Sequence, residues 1–120
     1  MFEGAAFDVE LAVTSEQKSR GLMGREYLGD REGMLFIFKS EGRYGFWMGG
    51  MVIPLDILWI DADGIVAGIA ANAPPVPQGT DGESYVPPRP ILYVLEINAG
   101  LAEQVEIRAG SQARFVPELD

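Results

Sequence analysis

Residues 7–13 (FDVELAV) alternate, with Phe7, Val9, Leu11 and Val13 on one side and Asp8 and Glu10 among those on the other. That period of two predicts a half-buried strand. Thr14-Ser15-Glu16-Gln17 follows as a capping box, so a short helix starts after Thr14 and stops near Gly21, a residue tolerant of left-handed backbone. Residues 34–38 (MLFIF) form a short continuous apolar run bounded by charged turns, which favours a buried strand over a helix. Residues 46–61 (FWMGGMVIPLDILWID) hold both tryptophans. They divide into a strand over 46–48, a bend permitted by Gly49-Gly50, and a second strand over 55–60 that Pro54 begins.

Asp61-Ala62-Asp63-Gly64 is a hairpin signal, returning through a strand over 65–71. Residues 72–90 form a long Pro-rich loop with six of the eight prolines. Loops of that length inside a small domain are usually functional or mobile. Residues 91–97 (ILYVLEI) give another apolar strand, with Glu96 embedded in it. A helical turn over 99–105 and a last strand over 113–116 complete the pattern. Without repeats or an internal boundary, 1–120 is expected to be a single, mostly antiparallel β domain with one short N-terminal helix.

Composition narrows the function classes. At 120 residues and 48% hydrophobic content, the chain carries enough apolar material for one folded core. Its net charge of −9 repels phosphate backbones and anionic headgroups and favours an acidic, soluble protein, so no nucleic-acid partner is expected. Cysteine and histidine are both absent. Thiol nucleophiles, disulfides and the usual general base are thereby excluded, and zinc, haem and copper sites disfavoured. No metal and no cofactor are expected. No window approaches the roughly 18–20 apolar residues of a membrane span. Met1-Phe2-Glu3-Gly4 lacks the basic start and apolar region of a signal peptide, so the chain is either cytoplasmic or a mature, exported form that has lost its leader.

Candidate chemistry rests on carboxylates. Asp56 shares a strand face with Leu58 and Ile60, where an unpartnered charge is expensive; it needs an arginine, several backbone N–H groups, or a proton. Arg20, Arg25 and Arg43 are candidate counter-ions. Asp56 then lies either at the floor of a cleft or in a structural tie. Glu96, alternating with Leu92, Val94 and Asn98, could join it as a glycosidase-like acid/base pair. Asp61-x-Asp63-Gly64 fails as an EF-hand loop, because the sixth and twelfth positions are Val66 and Asn72. Ser15-x-x-Lys18 lacks the companion elements of an acyl-serine enzyme. Pro74-Pro75-Val76-Pro77 and Pro87-Pro88-Arg89-Pro90 can dock as polyproline II or stiffen a loop. Among the aromatics Tyr44, Phe46, Trp47, Trp59, Tyr85 and Tyr93, the best candidates for partial exposure are Trp47 and Tyr85.

Five ordered blocks carry a resemblance: Arg20-Gly21-Leu22-Met23-x-Arg25, Gly33-Met34-Leu35-Phe36-x-Phe38, Phe46-Trp47-Met48, Ile53-Pro54-Leu55-Asp56-Ile57, and Val94-Leu95-Glu96 with Ala99-Gly100. Together they resemble the domain-of-unknown-function 192 family (DUF192) over nearly the whole chain from Val9. The resemblance implies a β-sandwich or jelly-roll-like barrel without established activity, often preceded in bacterial members by a signal peptide and so periplasmic. The family usually reads Trp-Met-Lys-Asn-Thr where this chain has Trp47-Met48-Gly49-Gly50-Met51, so those polar groups are lost here. The expected function is a non-enzymatic binding module of the cell envelope. Its cleft would be lined by Trp47, Met48, Asp56 and Glu96 with Arg20 and Arg25 at the polar end, and would take a small molecule, a glycan or a protein. The rivals are a hydrolase using Asp56 and Glu96 and an assembly role for the proline loop.

Overall fold

All six residues of one strand, Leu55–Ile60, are buried, which places it inside a sheet covered on both sides. The computed structural model describes residues 2, 5–76 and 84–115. In chain order the elements are β1 (Asp8–Ala12), α1 (Ser15–Arg20), β2 (Glu32–Gly42), β3 (Phe46–Trp47), β4 (Leu55–Ile60), β5 (Val66–Ala73), β6 (Ser84–Tyr85), β7 (Ile91–Asn98) and α2 (Leu101–Gln104). Five strands form one sheet in the order β1-β2-β7-β4-β5, and β3 pairs with β6 in a second, two-stranded sheet.

The unbroken apolar runs follow from this layering. On one face Met34, Phe36, Ile57, Trp59 and Val94 pack with Leu22, Leu28, Met48 and Met51 from the connecting loops. On the other, Leu35, Leu58, Ile60, Leu95 and Ile97 pack with Leu101, Ala102, Ile107 and Ala113. A strand buried on both faces loses the apolar–polar alternation that a half-exposed strand keeps.

Three expectations are corrected. The five-stranded sheet is mostly antiparallel, as expected, but not wholly so, because β1 pairs with β2 in parallel. The connection between them, α1 plus residues 21–31, is long enough to carry the chain back to the starting edge, as a parallel pair requires. The sheet is also open, with β1 and β5 at its edges, and does not close into a barrel. At the C-terminal end residues 113–115 form no strand; Gln112 makes an isolated bridge to Ile65, and Val116 lies outside the described residues.

The local signals hold. Thr14 takes extended backbone and its Oγ1 accepts from the Gln17 amide at 3.1 Å, while Gln17 Oε1 accepts from the Thr14 amide at 3.0 Å. Gly21 ends the helix at φ 49°. Asp61 organises the hairpin, its Oδ1 accepting from the amides of Asp63 and Ile65, both at 2.9 Å. Its Oδ2 meets Arg89 Nη1 at 2.6 Å. Burial opposes ionisation of Asp61, but Arg89 and the two amides outweigh it and hold the carboxyl below its usual range. Arg43 donates from Nε and Nη2 to the Pro87 carbonyl at 3.1 and 3.0 Å. Arg43 and Arg89 thus fasten the C-terminal part of the proline-rich segment; its centre, 77–83, and with it Pro77, lies outside the described residues.

Candidate functional site

Glu96 sits on β7 between Met34 of β2 and Ile57 of β4 in the register of the sheet. Alternation along β7 points it, with Val94, to the face that carries Phe36 and Trp59. Its side chain borders a cleft of about 460 Å³ formed by this face, α1 and the 44–51 segment. The walls are aromatic: Phe36 and Phe38 from β2, Tyr44 from the following turn, and Phe46 and Trp47 from β3. Phe36 and Phe46 meet edge-to-face with centroids 5.0 Å apart, and Phe38 stacks on Tyr44 at 3.8 Å. Met23 and Met51 add flexible thioethers, while Lys18 and Arg20 stand at the rim. Lys18 Nζ lies 4.5 Å from the Phe38 ring centroid, a cation–π contact.

Glu96 is 5% exposed and, among the described residues, its carboxyl has neither a hydrogen-bond donor nor a counter-ion. Burial therefore pushes its pKa up to about 7. Near neutral pH it is divided between a proton donor and a desolvated anion. Trp47, by contrast, is 51% exposed. Its indole folds over Gly49, where a Cβ would collide with the ring. At Gly50, φ 77°, a Cβ would press on Met23. The glycine pair thus admits an aromatic and a thioether side chain onto the backbone where the family pattern has Lys and Asn.

Asp56 belongs to the other face. It pairs in register with Ile97, not Glu96, and its side chain reaches the start of α2. Oδ1 accepts from the amides of Asn72 at 2.8 Å and Gly100 at 3.2 Å, and Oδ2 from Ala102 at 3.0 Å. Three main-chain donors satisfy the carboxylate and in return fix α2 and the left-handed Asn72 (φ 56°) against the sheet. None of Arg20, Arg25 and Arg43 is its partner. Arg25 makes a bidentate pair with Glu10 at the surface, whose hydrogen bond holds the Glu10 carboxyl below its usual range. The acid/base pair of the hydrolase alternative is therefore split between opposite faces of the sheet.

Of the six residues the sequence marks for binding, Arg20, Trp47 and Glu96 border the cleft. Asp56 is behind the sheet, Arg25 is paired elsewhere and Met48 is fully buried. Tyr44 and Phe46 line the cleft as the aromatic inventory allowed, whereas Trp59 and Tyr93 pack in the core clusters. Lys18, Met23, Phe36, Phe38 and Met51 escape sequence reasoning. A signal for two of them exists: in MLFIF, Met34, Phe36 and Phe38 share one side of the strand.

The family model of DUF192, described as "Uncharacterized ACR", matches residues 2–115. The fold is similar to the crystal structure of a protein of unknown function from Novosphingobium aromaticivorans, with 44% identity and TM-score 0.82 over 88% of this chain and 73% of that one. It is also similar to that of a protein from Sinorhizobium meliloti described as a proposed transcription regulator, with 36% identity and TM-score 0.78 over 88% and 79%. No curated protein is significantly similar to the chain. No helix among the described residues is long and apolar enough to cross a membrane.

Proposed function

The chain belongs to the DUF192 family, and from that premise we propose that it is a binding module, not an enzyme, whose small-molecule site is the aromatic cleft above Glu96. The observation that carries this is a nearly buried carboxyl group, without a partner among the described residues, bordering an aromatic cavity large enough for a small organic molecule. Such a group is a standing cost to the fold unless something else satisfies it. Among the described residues no second carboxylate borders the cleft, and Asp56 is occupied by three amides on the opposite face. The small β3–β6 sheet serves, in this proposal, as the second layer of a reduced sandwich, with Phe46 packed on Phe36 as the seam.

An envelope location is carried by the family resemblance alone, and fractionation of cells expressing the full-length gene product decides it. A nucleic-acid partner is not proposed, since the −9 charge opposes phosphate contact. An assembly role for the proline loop (72–90) gains little at Pro87–Pro90, which Arg43 and Arg89 already fasten.

Trp47 is the natural reporter. Titrating the protein with a fragment-sized small-molecule and glycan panel should change tryptophan emission and move the amide resonances of Arg20, Phe46, Trp47 and Glu96. The Trp47→Phe variant should lose the emission response but keep the resonance shifts. A panel of several hundred compounds that moves none of these resonances would overturn the proposal.

A further inference from the structure

We infer that the cleft selects small organic cations, an alkyl or arylalkyl ammonium group seated between the Glu96 carboxylate and the aromatic faces of Phe46 and Trp47. This rests on the binding-module proposal above and adds the chemical class of ligand. Three observations converge on it. First, the only acidic side chain bordering the cleft, among the described residues, is Glu96, and it has no cation of its own. A desolvated carboxylate gains more from an incoming ammonium than from a neutral ligand, because the pair restores the charge that burial suppresses. Second, the walls are lined by aromatic rings, and one of them already holds a cation: Lys18 Nζ over Phe38. Third, the whole chain is strongly acidic at −9, so its field concentrates cations and repels anions.

Lys18 and Arg20 at the rim are the features that argue for an anion instead. Lys18 is committed to the Phe38 ring. Arg20 is exposed at the end of α1, where solvent screens it. The charged and titratable groups bordering the cleft with Glu96 are Lys18, Arg20 and Tyr44; the flanking strands present Met34 and Ile57 beside it, which carry no charge.

Because the bound cation needs the ionised carboxylate, binding should expel a proton when the free site is protonated. With Glu96 titrating at about 7, affinity should rise about tenfold from pH 6 to pH 8. The test is isothermal titration calorimetry of the intact protein with phenethylammonium, phenylacetate and 2-phenylethanol as matched probes. Phenethylammonium should bind most tightly, with the stated pH dependence and proton release visible in buffers of different ionisation enthalpy. Glu96→Gln should weaken it at least tenfold at pH 8, and Trp47→Ala, at an exposed position that the core does not need, should weaken it severalfold. Preferential binding of phenylacetate, or an unchanged affinity in a folded Glu96→Gln protein, would overturn the cation assignment and leave the cleft a ligand site. If none of the probes binds while other compounds move the cleft resonances, the cation assignment likewise fails; silence from the whole panel removes the binding module itself.

Discussion

Asp56 accepts three main-chain N–H groups from two distant parts of the chain, Asn72 at the end of β5 and Gly100 and Ala102 at the start of α2. Removing its carboxylate strands those donors in a buried site, and each buried donor left unmade costs about 1–3 kcal/mol. Asp56→Ala should therefore lower unfolding free energy by about 3 kcal/mol or more in a urea titration, and Asp56→Asn by less, since its carbonyl keeps one acceptor. An Asp56→Ala protein as stable as the wild type would contradict this role. The need for partners was legible from a carboxylate on an apolar strand. Their identity was not, because main-chain amides leave no mark in a sequence, whereas the arginines that stood out were committed to Glu10 and Pro87 or left at the rim. Glu96 was legible as a misplaced acid; that it faces away from Asp56 depended on a register of one residue between β4 and β7.

At the scale of elements, α1 is six residues long with no buried side chain, too short to hold itself by propensity. Its caps and the Gly21 stop determine where it forms. Thr14→Ala removes one half of the capping box and should cost about 1 kcal/mol in denaturant unfolding. Because α1 supplies Lys18 and Arg20 to the cleft rim, the same variant should also broaden the amide resonances along residues 15–20. Retained stability with sharp resonances would show that tertiary contacts, not the cap, hold the helix. The longer strands could be read from alternation or apolar runs and the helix from its capping box, all local signals, whereas β6 lies inside the 72–90 stretch that reads as a loop. The parallel pairing of β1 and β2 could not be read, since it depends on where the connection over 13–31 returns. Nor could the end of the chain: Ala113 bonds to Gly64 through its amide without extending a strand.

At the scale of the whole molecule, one sheet separates two cores with different tasks. On the α2 side the buried carboxylate, Asp56, is satisfied by main-chain amides, whereas the other side leaves a cleft with Glu96 beneath it. That difference couples folding to pH. The folded protein holds the Glu96 proton up to about pH 7, whereas an unfolded chain releases it near the ordinary value of 4.5. Between those values the native state binds more protons. Glu96's contribution is therefore fully present below about pH 4.5 and is lost as pH rises through 7, a loss of about 3 kcal/mol. Unfolding free energies of wild type and Glu96→Gln, compared from pH 4.5 to 8, should show this decline in the wild type alone. The most direct measurement is a carbon-13 NMR titration of the Glu96 side-chain carboxyl in the folded protein. A midpoint near 7 is expected; a midpoint near 4.5 would mean that the carboxyl is already solvated or paired, and that the cleft has no unsatisfied group to offer a ligand.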